Sequence, residues 1–87
     1  MPNTLHCEIL TMAESVFAGA ARMVVATAVD GEVGVLPDHA PLVSALGEGS
    51  LRITGEDGKV IRFRASGGFL HVAANHVTIL TSECVKA

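Results

Sequence analysis

The feature that most constrains this sequence is a hydrophobic period of two, in short runs separated by turn residues. The alternating apolar positions are, in chain order, Leu5, Cys7, Ile9, Leu51, Ile53, Ile61, Phe63, Val77 and Ile79. Successive side chains on a β-strand point to opposite faces, so each run predicts a strand with one buried and one exposed face. Glycine- and asparagine-containing turn signals separate the runs, at 30–31, 47–49, 56–58, 67–68 and 74–75. Many short strands with frequent turns predict an all-β sandwich or barrel.

The length of the chain predicts a single domain. The 87 residues have room for one core, and 49% of them are hydrophobic, so we interpret residues 1–87 as one globular unit. The longest uncharged run, 65–82, has 18 residues and approaches the length of a membrane span. Because it contains Gly67, Gly68 and Asn75, it predicts a hairpin instead.

Charge and cysteine content argue against a nucleic-acid partner and favour free thiols. The net charge is −3, the six basic residues are scattered, and only three aromatic residues are available to stack on bases. No basic residue precedes Arg22, so no secretory signal is predicted. Cys7 and Cys84 are therefore expected as free thiols on strands in a reducing compartment, and a disulfide would require the two ends of the chain to meet.

The stretch TMAESVFAGAARM supports two interpretations. Thr11 with Glu14 three residues later matches a helix capping box, and alanine-rich sequence follows. Against a helix, Gly19 interrupts the stretch, and the next residues, MVVATAV, are β-branched and apolar on both faces. The sequence favours strand and turn over a helix here.

The stretch VLPDHAPLV predicts a rigid, extended loop between strands over Glu32–Leu36 and Leu42–Leu46. Pro37 and Pro41 lack amide donors and fix φ at roughly −65°. The residue before each proline is pushed toward extended geometry as well. A rigid loop loses little entropy on docking, so it is a suitable contact element.

No catalytic, cofactor or metal site is predicted. The sequence lacks a nucleophile elbow, a phosphate-binding loop and a dinucleotide-binding glycine pattern. Asp38 and His39 are adjacent, but on an extended backbone their side chains point apart, which leaves His39 without a partner for base catalysis. His71 and His76 flank the 74–75 turn and would lie near each other across a hairpin, but no third ligand is evident.

Two long stretches of this sequence resemble a known family. FAGAARMVVATAVDGEVGVLPDHAPLVSALGEGSLRI, which begins at Phe17, and GGFLHVAANHVTILTSE, which begins at Gly67, resemble the epsilon subunit of bacterial F-type ATP synthases, called delta in mitochondria. The shared motifs are an early Phe-Ser/Ala-Gly, a G-E-x-G-x-L-P-x-H-A-P segment, and a late G-G-[FI]-x-x-V followed by V-T-[IV]-L. The resemblance covers Leu5 to Glu83 and implies a β-sandwich of about ten strands, in agreement with the period of two.

The resemblance also implies a mechanical role without catalysis. Subunits of this family hold the gamma subunit and sit on the ring of c subunits, and so form the foot of the rotating central stalk that couples proton translocation to ATP synthesis. Carried over to this sequence, the c-ring contact involves Glu32, Asp38 and His39, with Pro37 and Pro41 holding the loop rigid. A basic residue of the ring would pair with Glu32. The implied location is the cytoplasmic face of the bacterial plasma membrane, reached only through the complex.

This sequence departs from the family pattern at three places. Asp38 stands where Gly or Asn is usual, and His71 stands where an acidic residue is common. The C-terminal helical hairpin, with which family members bind ATP or inhibit its hydrolysis, is absent from the 87 residues, so no ATP or other cofactor is expected to bind. The alternative hypothesis is a free-standing sandwich that binds a metal or small ligand through His71 and His76.

Overall fold

The computed structural model describes residues 4–87 and confirms the all-β prediction. The strands are, in order, β1 (Leu5–Leu10), β2 (Ser15–Ala21), β3 (Met23–Ala28), β4 (Gly31–Val35), β5 (Leu42–Thr54), β6 (Val60–Ala73), β7 (His76–Leu80) and β8 (Cys84–Lys86). Among the described residues no helix has the length and apolar character needed to cross a membrane. The described residues form eight strands, somewhat fewer than the roughly ten that the family resemblance implied.

The difference in strand number arises because β5 and β6 each belong to both layers of the sandwich. They contain 13 and 14 residues and pair with each other in one antiparallel register along their length. In β5 the buried side chain near the start is Leu46, whereas those near the end are Leu51 and Ile53. A change from even to odd buried positions means that the strand has turned its other face to the core. Each long strand therefore takes the place of two.

The prediction of turns at 47–49 and 67–68 was wrong, because these glycines lie inside β5 and β6. Gly67 and Gly68 have φ values of +70° and +113°. A Cβ atom on Gly68 would collide with the carbonyl oxygen of Leu80, and one on Gly49 would lie 2.8 Å from Oγ1 of Thr27. At Gly68 the positive φ and the close approach both require glycine, and at Gly49 the close approach alone favours it. These glycines occupy the positions where the two long strands pass from one layer to the other.

Strand pairing divides the sandwich into two layers. The hydrogen-bonded order is β2-β1-β7-β6-β5-β3-β4, and β8 pairs with the first half of β6. The first layer contains β2, β1, β7 and the adjoining halves of β6 and β5, and the second contains the other halves with β3, β4 and β8. Ala74 and Asn75 join β6 to β7 with φ values of +49° and +62°, which confirms the predicted hairpin and fits a type I′ turn.

The core contains the positions that the period of two predicts. The buried members of that set are Leu5, Cys7, Ile9, Leu51, Ile53, Phe63, Val77 and Ile79, and Ile61 is half-buried. Phe17 on β2 meets Phe63 on β6 edge to face, with ring centroids 6.1 Å apart. Because β2 belongs to the first layer and Phe63 lies in the half of β6 that belongs to the second, this aromatic contact helps to hold the two layers together.

The stretch that begins at Thr11 forms a turn and strand β2, and the prediction of strand and turn instead of a helix is confirmed. The hydroxyl oxygen of Thr11 accepts hydrogen bonds of 3.2 Å from the amides of Ala13 and Glu14. A side chain of the kind that caps helices thus closes a turn here, and β2 begins at Ser15 and pairs with β1.

Both cysteines are free thiols on strands, as predicted, and they differ in burial. Burial, aided by the charge of Glu8, raises the pKa of Cys7 to about 12, whereas Cys84 is half-buried and its pKa is raised by burial alone. Because the thiolate is the nucleophile, we expect iodoacetamide to modify Cys84 in the folded protein and to spare Cys7. Intact-mass spectrometry should find one adduct before unfolding in urea and two after it. Equal modification of both thiols in the folded protein would contradict this assignment.

Candidate docking site

The loop from Leu36 to Pro41 is closed by a β-turn. The His39 amide donates a hydrogen bond of 3.1 Å to the Leu36 carbonyl, so that Pro37 and Asp38 occupy the two central positions. Asp38 has φ +67°, the positive value that a type II turn requires at its third position and that Gly or Asn usually supplies. The loop is therefore turned at these two residues, and the prediction of an extended loop was wrong there.

Asn75 fastens this loop to the turn between β6 and β7. Its Oδ1 accepts a 2.6 Å hydrogen bond from the Asp38 amide, and its Nδ2 donates to Oδ1 of Asp38 at 3.3 Å. Its backbone carbonyl also accepts a 2.8 Å hydrogen bond from the amide of His6. Three segments distant in sequence are thus joined at one end of the sandwich, which gives the proline loop a second source of rigidity. Sequence reasoning missed Asn75, which it assigned only to a turn.

The ring of His39 is oriented by its own backbone neighbour. His39 is half-buried, and its Nδ1 lies 2.7 Å from the carbonyl oxygen of Ala40. When Nδ1 carries the proton it donates to this carbonyl, which leaves Nε2 as an acceptor. This arrangement presents one ring nitrogen for a polar contact with a partner.

Glu32 lies near the start of β4, an edge strand, and forms an ion pair that sequence reasoning missed. Its Oε2 is 3.2 Å from Nη2 of Arg52 on β5. Both side chains are exposed, 61% for Glu32 and 40% for Arg52. An exposed pair of this kind contributes at most about 1 kcal/mol, so a second cation can readily compete for the carboxylate.

The predicted contact residues occupy two positions along one edge of the domain. Four steps of extended strand separate Glu32 from Leu36, about 13 Å along the chain, and Asp38 and His39 lie beyond in the loop. Asp38 is exposed, like Glu32, and Pro37 is half-buried beside it. Strand β4 and the loop that follows it therefore present two acidic residues and a histidine.

The outer face of the first layer carries a row of exposed apolar side chains. Phe69 is 57% exposed, and its direct neighbours in the register are Ala45 and Leu80. Leu80 is 51% exposed and is paired in turn with Leu10. Val43 lies two residues before Ala45 on the same face and is 66% exposed. Five side chains form what we name the apolar band, and Leu10 is the half-buried member: Leu10, Val43, Ala45, Phe69 and Leu80. Contiguous apolar surface of this kind is typical of an interaction site.

The histidines on either side of the 74–75 turn are not direct neighbours. The register places His71 opposite Thr78 and His76 opposite Ala73, so the two histidines are diagonal to each other. His76 lies directly opposite His6 instead, in the parallel ladder of β1 and β7, with ring centroids 5.3 Å apart. Within residues 4–87, no three or more His, Cys, Asp or Glu side chains are grouped so that they could hold a metal ion.

The likeness to ATP synthase subunits, which the motifs indicated, is confirmed by comparison with known proteins. The family described as "ATP synthase, Delta/Epsilon chain, beta-sandwich domain" matches residues 4–87. The ATP synthase epsilon chain of Halorhodospira halophila is 45% identical over 98% of this chain and 61% of its own length. The epsilon chain of Stenotrophomonas maltophilia strain K279a is 38% identical, again over 98% of this chain and 61% of its own length. The chain thus spans 61% of the length of these curated relatives.

Solved structures show the same fold. A chain in the cryo-EM structure of the Euglena gracilis mitochondrial ATP synthase, OSCP/F1/c-ring, superposes with a TM-score of 0.92 at 30% identity, over 99% of this chain and 55% of that one. A chain in the Tetrahymena thermophila mitochondrial ATP synthase central stalk and c-ring superposes with a TM-score of 0.75 over 93% of this chain and 65% of that one, and at 15% identity it supports the fold alone. From its sequence match and its two-layered fold, the chain belongs to the ATP synthase delta/epsilon family and contains that family's β-sandwich domain.

Proposed function

We propose that this chain is a non-catalytic rotor subunit that joins the gamma subunit to the c-ring of a bacterial ATP synthase and supports the coupling of proton translocation to ATP turnover. The observation that carries the proposal is the exposed apolar band on a domain of the delta/epsilon family. The domain would lie at the cytoplasmic face of the plasma membrane, where its two partners hold it.

The apolar band is the surface that we assign to the gamma subunit. Phe69 lies between Ala45 and Leu80, so a partner that covers the band would enclose an aromatic ring at its centre. Central aromatic side chains carry a large share of binding free energy in protein interfaces. Full burial of an exposed leucine contributes about 1.5–3 kcal/mol, and Leu80, which is 51% exposed in the free domain, would contribute about half of that. The band therefore offers a stable attachment, which a subunit that rotates with gamma needs.

The β4 edge and the proline loop form the surface that we assign to the c-ring. In the docked state a basic residue of the ring would replace Arg52 as the partner of Glu32, and Asp38 and His39 would add polar contacts. Pro37 and Pro41 restrict the backbone on either side of His39, and the hydrogen bonds of Asn75 hold the loop against the rest of the domain. This constraint suits a contact that must keep its geometry under torque.

Reversal of the charge at position 32 tests the ring contact. The variant Glu32→Lys places a cation opposite the basic residue of the ring and beside Arg52, and we expect affinity for the ring to fall roughly tenfold, or about 1.4 kcal/mol. Inverted membrane vesicles that contain the variant should hydrolyse ATP at a rate near that of the starting protein and pump fewer protons per ATP.

The matched control is Glu56→Lys, which makes the same charge change in the exposed turn between β5 and β6. This control should pump like the starting protein, and both variants should retain its melting temperature within a few degrees. If Glu32→Lys pumps as well as Glu56→Lys, then Glu32 does not contact the ring. If Glu32→Lys unfolds the domain, its role is internal.

A further inference from the structure

Two histidines from opposite ends of the sequence meet on the outer face of the first layer. His6 and His76 are directly opposite each other in the parallel β1–β7 ladder, their ring centroids are 5.3 Å apart, and the ring planes are inclined by 51°. Both residues are exposed. Among the described residues no hydrogen bond or ion pair engages a nitrogen of either ring, so these nitrogens are free to bind a ligand.

The spacing of the rings fits two imidazoles that share one tetrahedral cation. A zinc–nitrogen bond of about 2.0–2.1 Å places the centre of each imidazole ring about 3.2 Å from the metal. At a tetrahedral angle the two ring centres are then about 5.2 Å apart. The observed separation of 5.3 Å agrees with this value, so the backbone already holds the two side chains at the required spacing.

We infer that His6 and His76 form a two-histidine binding site for a divalent transition-metal cation, and that Zn²⁺ is the ion whose geometry fits it. Imidazole is a preferred ligand of Zn²⁺, Cu²⁺ and Ni²⁺. Since no group of three or more ligating side chains exists within residues 4–87, water completes the coordination and the site is open. Glu8, two residues after His6 on the same face, adds a nearby negative charge that favours a cation.

The backbone beneath the two rings is fixed on both sides. His76 begins β7 directly after the 74–75 turn, and the amide of His6 donates a 2.8 Å hydrogen bond to the carbonyl of Asn75 in that turn. Binding therefore has to order only the rotamers of two side chains, which limits its entropic cost. The predicted partner His71 is diagonal to His76 and one strand further from His6, so it is not part of the site.

Isothermal titration calorimetry with Zn²⁺ alone, on the untagged chain near neutral pH, tests the inference. We expect one Zn²⁺ per chain. His6→Ala and His76→Ala should each weaken binding roughly tenfold or more, because each variant leaves a single imidazole. His71→Ala and His39→Ala serve as matched controls on the same domain and should bind as the starting protein does. Cys84→Ser should also bind normally, which shows that the half-buried thiol is not the ligand.

Circular dichroism spectra should show that all five variants are folded, because the four histidines and Cys84 lie outside the buried core. If either His6→Ala or His76→Ala binds Zn²⁺ with unchanged affinity, the two-histidine site is wrong. Loss of binding in His71→Ala or Cys84→Ser overturns it as well, since the ligands would then be elsewhere. These outcomes do not depend on the gamma subunit or the c-ring, so they leave the proposed rotor function untouched.

Discussion

Gly68→Ala is expected to lower the free energy of unfolding by about 3–5 kcal/mol. The backbone at position 68 has φ +113°, a value that residues other than glycine rarely adopt. The added Cβ would also collide with the carbonyl oxygen of Leu80 and lie 2.8 Å from the Cα of Thr81. These are backbone atoms, so neither can rotate away and the end of β7 would have to shift. A domain of this size has a total stability of roughly 4–13 kcal/mol, so a large part of it would be lost.

Gly34→Ala is the matched control for that prediction. Gly34 lies on the edge strand β4, where an added Cβ would meet no atom within 4 Å and φ is not positive. We expect its unfolding free energy to change by at most about 0.5 kcal/mol. Urea unfolding should be followed by circular dichroism, because the sequence has no Trp or Tyr. Equal urea midpoints for the two variants would mean that β6 does not need glycine where it changes layers.

The local part of the fold could be predicted because alternation is a local property. The buried positions Cys7, Leu51 and Ile79 follow from the sequence, since a strand with one buried face reads apolar at every second residue. The hairpin turn at 74–75 followed from Asn75 between two apolar runs. Strand in place of a helix after Thr11 is also predictable, because β-branched residues and Gly19 disfavour a helix and a turn can use the capping pattern equally well.

The crossing of β5 and β6 between layers could not be predicted in the same way. A glycine that starts a turn and a glycine that lets a strand change faces give the same signal over a few residues. The difference is made by what approaches the glycine, and for Gly68 that is the carbonyl of Leu80, 12 positions later. The sequence therefore predicts two short strands separated by a turn where the structure has one long strand.

The residues of the candidate c-ring contact come from the sequence and stay a prediction, and their geometry could not be predicted from it. The family motifs identified Glu32, Asp38 and His39, but their partners lie across the sheet and not along the chain. Arg52 on β5 lies near Glu32 on β4 because β3 pairs with both strands. Asn75 bonds to Asp38, although 37 positions of sequence separate the two residues. The sequence did contain a signal for this turn, because Asp38 stands where family members usually have Gly or Asn. Those two residues readily adopt a positive φ, and Asp38 has one in the structure. The meeting of His6 with His76 depends on a parallel strand pair, which a single sequence does not reveal.

Introduction of a charge into the centre of the apolar band is expected to weaken attachment to the gamma subunit strongly. In Phe69→Asp an aromatic ring is lost, and a carboxylate would have to be buried without a partner. In the free domain the same side chain is 57% exposed, so a carboxylate there remains hydrated and the domain is expected to stay folded. A loss of about 3 kcal/mol or more, roughly a hundredfold or greater weakening, is the expected effect on binding.

The experiment is a pull-down and titration of this chain with purified gamma subunit. Val85→Asp is the matched control, because Val85 is 63% exposed and lies on β8, opposite Arg64 in the second layer and away from the apolar band. The control should bind gamma like the starting protein, and both variants should unfold at similar urea concentrations. If Phe69→Asp binds gamma as tightly as Val85→Asp, then gamma covers another surface. If both variants fail to bind, the loss reflects added charge in general, and the band has no special role. A defect confined to Phe69→Asp would identify the outer face of the first layer as the surface that turns with gamma.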